Sequence, residues 1–296
     1  MKTIELSPLS IGEKQAWLNH AIGPRPIAFV STVDAGGNAN LSPFSFFNLF
    51  SYDPSVVIFS TVRKVRDNSI KHTLENLLQV PEAVINICDI NMVQQVSLAS
   101  GEYPKGVDEF IKAGFTKQPA TLVQPPMVKE AGIKLECRVM EVKSLGEHGG
   151  AGQLVIAEVL LLHVDESLLN DDGNMIDQLK TKHVSRMGGN WYAAINETNL
   201  FTVPRPGARP GIGFDGLPQS IRNSNLLTGN NLAMLAGVAE IPVVNAGFED
   251  NRLKNIVQYY AINPDEMEKE LHLYAKELLE QNRIEDAWQV LLYAAG

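Results

Sequence analysis

Residues 60–73 combine positive charge with hydroxyl groups in a pattern that suits a phosphate monoester. Four cations lie within nine residues: Arg63, Lys64, Arg66 and Lys71. Three hydroxyl side chains accompany them, on Ser60, Thr61 and Thr73. Such a ligand is bound by charge-assisted hydrogen bonds from cations, by neutral donors and by exposed backbone N–H groups. The alternative is a solvated basic helix start, since many surface charges bind nothing.

A second segment, residues 42–48, has the composition of a wall for a flat aromatic ligand. It reads Ser42-Pro43-Phe44-Ser45-Phe46-Phe47-Asn48 and breaks the alternation expected of a strand. An aromatic ligand needs an apolar surface with polar groups at its edge, and three phenylalanines beside two serines supply both. A bulged segment of an aromatic core explains the same residues equally well.

Short strands are predicted to carry these segments. Apolar, β-branched runs occupy residues 27–32, 55–61 and 83–88, and residues 133–139 alternate between apolar and charged side chains. The glycine-rich stretch 146–152 then leads to a long apolar strand, which predicts a hairpin. Helices are expected from Asp67 or Asn68 to about Leu78, over 91–99 and over 107–113. Because strands and helices do not alternate regularly, we expect an all-β core, a closed or nearly closed antiparallel barrel with helical insertions.

The composition changes near residue 200. Residues 203–211 form a Pro/Gly-rich connector, and beyond it Asn263 and Pro264 mark the start of a helix in a predicted helical hairpin. We therefore predict a first domain over residues 1–200 and a mainly helical C-terminal extension over 201–296. The apolar stripe of this extension is explained by packing on the barrel or on a second subunit, and a partner-docking module is the alternative.

Composition and charge exclude several classes of protein. The 296 residues are 45% hydrophobic and carry a net charge of −9, which disfavours general binding of nucleic acid or anionic membranes. No apolar run is long enough to span a bilayer, and no export signal is visible. Two cysteines exclude a disulfide framework, so a reduced, cytoplasmic setting is expected.

Two patterns that mark binding sites in other proteins lack the sequence context that such sites need. Gly211, Gly213 and Gly216 match a dinucleotide-binding pattern, but a Pro-rich connector precedes them and Leu217-Pro218 follows, so a turn is expected. The six histidines are scattered without helical spacing, and no metal site is predicted.

The order of several motifs resembles the flavin reductase-like family, whose fold is the FMN-binding split barrel. They run from GPRPIAFVST at residue 23 through NLSPFSFFN at residue 40 and KHTLENL at residue 71 to the V-I-N of residues 84–86. Further matches are Asp108-Glu109-Phe110, Leu135-Glu136-Cys137 and residues 188–192. The resemblance covers roughly residues 15–195, and His72 stands where the family usually has aspartate.

This resemblance implies a six-stranded Greek-key split barrel that binds FMN non-covalently as a homodimer. The expected cofactor-binding residues are Ser42, Pro43, Phe44, Ser45, Phe46, Ser60, Thr61, Arg63, Arg66, Lys71, Thr73 and Trp191. Those of segment 42–46 would line the ring system, and the residues from 60 to 73 would hold the phosphate. Trp191 and Tyr192 would cover the flavin from the partner subunit, or pack in the core. Arg25 and Asn48 are expected to brace the loops.

The resemblance also implies an activity, NAD(P)H-dependent flavin reduction with hydride transfer from nicotinamide to flavin N5. The flavin carries that chemistry, so no catalytic side chain is assigned. Backbone N–H groups around Ser45 and Phe46 are candidates for stabilising the reduced ring. The alternative is an FMN electron-transfer protein that uses a protein or metal-chelate partner instead of NAD(P)H.

Overall fold

The computed structural model describes residues 1–207 and 209–294. These residues form two compact units, which divide between Phe201 and Thr202. Within the first unit the helices are α1 (Ile11–Ala21), α2 (His72–Leu77), α3 (Val93–Ala99) and α4 (Glu109–Ala113). Its strands are β1 (Arg25–Pro26), β2 (Ala28–Val33), β3 (Ala39–Phe44), β4 (Phe47–Tyr52), β5 (Ser55–Val62), β6 (Glu82–Ile87), β7 (Lys117–Gln118), β8 (Met127–Val128), β9 (Ile133–Ser144), β10 (Gly152–Val164), β11 (Val184–Arg186) and β12 (Tyr192–Ala194).

The main sheet is antiparallel, in the order β3-β2-β6-β9-β10-β5-β4. Its two edge strands, β3 and β4, are consecutive in the chain and are separated only by Ser45 and Phe46. Residues 39–52 therefore act as one bent strand that runs along both edges and closes the sheet into a barrel. At the bend the Ser60 amide donates a hydrogen bond to the Phe46 carbonyl at 2.8 Å.

Counting residues 39–52 once gives six strands, and the order β6, β2, β3/β4, β5 is the 4-1-2-3 arrangement of a Greek key. The predicted all-β barrel with helical insertions and a mainly helical C-terminal region is confirmed. The predicted hairpin is β9 and β10, and β9 continues to Ser144, beyond the strand expected from the alternation.

The predicted start of α2 is wrong. The helix begins at His72 with Lys71 as its N-cap residue, four residues after Asn68. Asn68 has a left-handed φ of 59° and the Asp67 carboxylate accepts a hydrogen bond from the Ser69 amide at 2.9 Å. Residues 64–69 therefore form a turn, because the Asp67 side chain bonds locally to the backbone instead of capping a helix.

Two apolar clusters support the barrel. Inside it, Phe44 and Phe59 pack with ring centroids 5.5 Å apart, among the buried Ile85, Cys137 and Val155. The second cluster packs α3 and α4 on the outer face of β2 and β3 and includes Phe29, Phe110 and Phe115. The barrel wall is thus fixed from both sides near the segment that carries the candidate site.

The second unit has a core of its own. Its helices are α5 (Gln219–Arg222), α6 (Gly229–Ala236), α7 (Asn251–Tyr259), α8 (Pro264–Glu280) and α9 (Ile284–Ala294). Trp288, Leu271 and Leu278 are buried where α8 and α9 pack as a hairpin. Gly213 and Gly216 lie in a turn, as the sequence predicts, since the Gly216 amide donates to the Gly213 carbonyl. Among the described helices of both units, none is sufficiently long and apolar to cross a membrane.

Candidate functional site

The cationic segment and the bend of the barrel strand meet at one cleft of about 540 Å³. One wall is a face of α1, and another is formed by Val62 at the end of β5 and by residues 63–66 after it. Phe46, Lys71 and Gly149–Gly150 complete the lining. The fold therefore joins the end of β5, the bend between β3 and β4, and the loop between β9 and β10.

A small cavity of about 30 Å³ adjoins this cleft and shares Lys64 and Lys71 with it. Ser42 and Thr73 also line this cavity. The Asn40 amide donates a hydrogen bond to the Thr73 hydroxyl at 3.0 Å, and both side chains are buried. The barrel thereby brings Ser42 of β3 next to Lys71 and Thr73 at the start of α2, beside the cationic segment.

The buried hydroxyls at the end of β5 differ in their hydrogen bonding. Ser60 Oγ donates to the carbonyl of Thr61 at 3.1 Å. Thr61 Oγ1 is buried and has no hydrogen-bond partner within the described parts of the chain. Buried polar groups nearly always have a partner, so this hydroxyl is available to an ordered water or a ligand. Neither Ser60 nor Thr61 is among the residues that line the cleft or the small cavity.

Most cations of the cleft lack the carboxylate partners that other cations of this chain have. In residues 1–207 and 209–294, no carboxylate oxygen lies within 4.0 Å of the charged groups of Arg63, Lys64 or Lys71. Arg66 does pair, at 3.5 Å with Asp67 and at 3.6 Å with Glu102. Because the whole protein carries a net charge of −9, this local excess of positive charge favours an anionic ligand.

The loop that carries the cations is held by a glycine-rich hairpin. The Arg63 amide donates to the Ala151 carbonyl at 3.0 Å, and the Gly150 amide donates to the Arg63 carbonyl at 2.9 Å. A Cβ atom on Gly149 would lie 2.9 Å from the Lys64 carbonyl oxygen, so this close approach requires glycine. The glycines of residues 146–152 therefore shape the cleft in addition to turning the hairpin.

Hydrogen bonds within residues 63–69 fix the geometry of the same loop. Arg63 Nε donates to Asn68 Oδ1 at 2.9 Å, which holds the guanidinium at the rim of the cleft. The Ser69 hydroxyl and amide both donate to the Asp67 carboxylate and lower its pKa from 3.8 to about 2. Asp67 is therefore ionised at neutral pH and stabilises the turn that presents the cations.

The phenylalanines of segment 42–48 take different places. Phe46 lies at the bend, is 45% exposed and lines the cleft. Phe44 ends β3 opposite Ala28 with its side chain in the barrel interior. The expected ring-lining role of Phe44 therefore does not fit the position of its side chain, because the strand alternation directs it inward. Pro43 is half-buried opposite Phe29, and the half-buried Ser45 lies between the two phenylalanines.

Asn48 and the residues around the smaller sheet, which has the strand order β1-β11-β12, are not brought to the cleft of this chain. Trp191 is 75% exposed in the turn before β12, and the Arg186 guanidinium lies 4.5 Å from the Tyr192 ring centre. Asn48 is exposed on β4 and accepts a hydrogen bond from the neighbouring Leu49 amide. None of these side chains contributes to the cavity lining within the described residues.

Arg25 joins α1 to the smaller sheet. Its buried guanidinium donates to the carbonyl of Asn19 at 2.7 Å, to that of Met187 at 2.9 Å and to that of Ile22. Burial is the main cause that lowers the pKa of Arg25, with a smaller contribution from Arg186. These bonds hold the C-terminal end of the helix that forms one wall of the cleft.

A family model described as a flavin reductase like domain matches residues 22–178, which is more than half of the chain. The chain belongs to the flavin reductase-like family. An uncharacterised protein of Halalkalibacterium halodurans is 35% identical over 207 residues, which cover 69% of this chain and 97% of that protein.

Two solved structures extend the likeness of this flavin reductase-like chain to the fold. Component B of nitrilotriacetate monooxygenase from Bacillus cereus is 30% identical, covers 69% of this chain and 98% of its own, and superposes with a TM-score of 0.64. A candidate flavin reductase with a split barrel domain from Shewanella frigidimarina is 26% identical, covers 67% and 94%, and gives 0.58. The barrel of this chain is the split barrel of that family.

Some residues of the site in this flavin reductase-like chain were not foreseen. Helix α1 precedes the region matched by the family model, yet it forms a cleft wall. The sequence does contain a pattern that indicates the start of this helix, the capping box of Ser10 and Glu13. In it the Ser10 amide donates a hydrogen bond to Glu13 Oε2 at 2.9 Å. Glu109 and Asn40 beside the small cavity had no such local signal, because long-range packing brings them there. Within residues 1–207 and 209–294 no cluster of three metal-ligating side chains occurs.

Proposed function

We propose that this protein binds FMN non-covalently in the cleft and its adjoining cavity. The observation that carries the proposal is a group of cations, Arg63, Lys64 and Lys71, that have no carboxylate oxygen within 4.0 Å in the described residues and that meet the hydroxyls of Ser42 and Thr73 where the cleft joins the small cavity. Arg63 and Lys71 would neutralise the phosphate, with hydroxyl donors from Thr61, Ser60 and Thr73. This donor set has the chemistry that a phosphate monoester requires.

The ring system of the cofactor would lie near the bend of the barrel strand. Phe46 offers an exposed aromatic surface there, and Ser42 and Ser45 lie on either side of the buried Phe44. When bound, FMN supplies a carrier for two electrons, which the protein side chains cannot supply. The residues of this chain would orient it, exclude water from it and donate backbone N–H groups at the bend.

We also propose that the working form is a homodimer in which Trp191 of a second copy covers the flavin. Two observations support this assembly. Trp191 is exposed and its indole has no contact with the cleft of its own chain. Strand β4 exposes Leu49, Phe50 and Tyr52, an apolar strip that a second subunit would cover.

The proposed activity is the reduction of flavin by NADH or NADPH. Membership in the flavin reductase-like family supports it. Transfer of electrons to a protein or metal-chelate partner, without NAD(P)H, is the competing activity. The two are separated by adding each nicotinamide anaerobically to FMN-loaded protein, since only the first predicts bleaching of the flavin band.

Binding itself is tested by titrating FMN into the protein and following the flavin fluorescence. Lys71→Gln is expected to weaken binding roughly tenfold or more, since a charge-assisted bond to phosphate is lost. Lys129→Gln is the control, because Lys129 is an exposed lysine outside both cavities. Absence of FMN binding in the parent protein, or equal affinities of the two variants, would refute the proposed site.

A further inference from the structure

His72 lines the small cavity that adjoins the cleft, beside Lys64, Lys71 and Thr73. It is the first residue of α2 and is half-buried. In residues 1–207 and 209–294 its imidazole has no hydrogen-bond partner and no carboxylate oxygen within 4.0 Å. By contrast, the rings of three other histidines bond to neighbouring protein groups: His20, His163 and His272. The imidazole of His72 is therefore available to a ligand.

The carboxylates near this imidazole already have partners. The charged or titratable groups that line the cavity with it are Lys64, Lys71, Glu102, Tyr103 and Glu109. Glu102 Oε2 lies 3.6 Å from the Arg66 guanidinium, and Glu109 Oε2 accepts a hydrogen bond from a backbone amide of β3 at 3.0 Å. Glu75, elsewhere on α2, pairs with Lys105 at 2.7 Å. An anion that enters the cavity would therefore meet two lysines and an imidazole that these carboxylates leave unpaired.

Helix α2 is fixed to the barrel wall beside the cavity. The Asn40 amide donates to the Thr73 hydroxyl at 3.0 Å, and the Asn76 amide donates to the Thr32 hydroxyl at 3.1 Å. All four side chains are buried. Because Thr73 Oγ1 accepts the first of these bonds, its own proton remains for an anion. The start of α2 thus holds its donors in position before a ligand arrives.

Histidine and a phosphate monoester change charge over the same pH range. Imidazole changes its charge between about pH 5 and pH 8, whereas lysine stays positive there. The second pKa of a phosphate monoester is about 6. An imidazolium donates a charge-assisted hydrogen bond to phosphate, and a neutral imidazole donates a weaker one. A histidine among the ligands of a phosphate therefore adds a contribution to binding that depends on pH.

We propose that His72 is a direct ligand of the flavin phosphate, and that its contribution to FMN binding grows as the pH falls from about 8 to about 6. The inference rests on the proposed function, because it needs the phosphate of FMN beside Lys71. Lys64 and Lys71 attract this group throughout that range, and His72 adds the part that varies. Riboflavin has the same ring system without the phosphate, so its binding does not depend on His72.

The test is a fluorescence titration of the flavin-free protein with FMN and with riboflavin, at about pH 6 and about pH 8.5. At the lower pH, His72→Gln should bind FMN roughly tenfold more weakly than the parent, and at the higher pH within about threefold of it, as for loss of one charge-assisted bond. Riboflavin should bind the parent and the variant equally at both pH values. The matched control is His163→Gln, which removes an imidazole on β10 outside both cavities and should leave both affinities unchanged.

Proton NMR of the His72 ring gives a second readout that needs no variant. Ligand binding and protonation at one site are reciprocally linked, so a phosphate that binds the imidazolium also favours that protonated form. The ring should therefore stay protonated to a higher pH in the FMN complex than in the riboflavin complex.

Each other result has a distinct meaning. If His72→Gln weakens FMN binding by the same factor at both pH values, or weakens riboflavin binding equally, His72 acts only through the structure of α2 and the inference is overturned. Identical titration of the His72 ring in the two complexes overturns it as well. Failure of the parent to bind FMN, or binding of FMN no tighter than riboflavin, refutes the proposed phosphate site and with it the proposed function.

Discussion

Replacement of Glu109 tests how the barrel edge beside the cleft is held. Glu109 is the first residue of α4, is 5% exposed, and its Oε2 accepts a hydrogen bond from the Leu41 amide at 3.0 Å. Leu41 lies on β3, which has a hydrogen-bonded strand only on the β2 side. The carboxylate therefore takes the place of a neighbouring strand, three residues before Phe44 and the bend.

The two obvious variants are expected to differ in the free energy of unfolding. Glu109→Ala leaves the fully buried Leu41 amide without an acceptor, which costs about 1–3 kcal/mol, and it also removes the packing of the side-chain methylenes. Glu109→Gln keeps an oxygen that can accept the same bond and no longer buries a charge. At pH 7 it should be as stable as the parent, or slightly more stable.

The pH dependence gives a further signature of the same group. Burial is the main cause that raises the pKa of Glu109 above its usual value of 4.5. The folded state then binds the proton more tightly than the unfolded state, so the contribution of Glu109 to stability falls as pH rises from about 4.5 through the folded pKa. Glu109→Gln should lose this part of the pH dependence.

Urea unfolding between pH 4 and pH 8, with hydrogen exchange of the Leu41 amide, measures both effects at about 25 °C. We expect fast exchange at Leu41 in Glu109→Ala and slow exchange in Glu109→Gln. If the alanine variant unfolds at the parent's urea concentration and still protects the Leu41 amide, the edge does not depend on this carboxylate.

Three other changes separate binding, loop geometry and unit boundaries. Thr61→Val removes the buried hydroxyl that has no hydrogen-bond partner in the described residues, so the thermal stability should be unchanged or slightly higher. FMN binding should weaken in the fluorescence titration. A loss of thermal stability would contradict this reasoning. The stability that ionised Asp67 gives to the turn of residues 64–69 should be lost as pH falls from 3.8 through about 2. The chemical shifts of Asp67 and Ser69 should follow this titration, and the Asp67→Asn variant should lack it. A chain ended after Phe201 should keep the β-rich circular dichroism and FMN binding of the first unit, and its aggregation would show that the units do not fold separately.

Local patterns predicted most of the barrel because each strand is decided by its own alternation or apolar run. The strands at residues 55–62 and 152–164, and the hairpin before Gly152, all follow from side chains within each segment. Helix α8 likewise begins at Pro264, directly after Asn263. The start of α2 was missed because Asp67 can either cap a helix or form a turn, and only the surrounding loop decides between them.

The candidate site was less accessible from sequence because it depends on a change of direction within one strand. Phe44 and Phe46 have similar neighbours in the sequence, yet one lies in the core and the other lines the cleft. Whether each ring is buried in the core or exposed to the cleft depends on the bend at Ser45 and Phe46, where residues 39–52 pass from one sheet edge to the other. Closure of a barrel is a long-range property, so no local pattern reveals which side of the bend each ring takes.

That bend also explains why chemistry would be placed at this end of the barrel. On one side of Ser45 the Ser60 amide continues the pairing of β4 and β5 to the Phe46 carbonyl, and on the other side the Glu109 carboxylate accepts from the Leu41 amide of β3. The same residues therefore fix the strand and the ligand-facing backbone, and the ring of a flavin would rest on rigid elements. By contrast, α1 and residues 63–69 lie outside the barrel wall, held by Arg25 and by the glycine hairpin. Substitutions in α1 should therefore change the wall of the cleft without loosening the barrel.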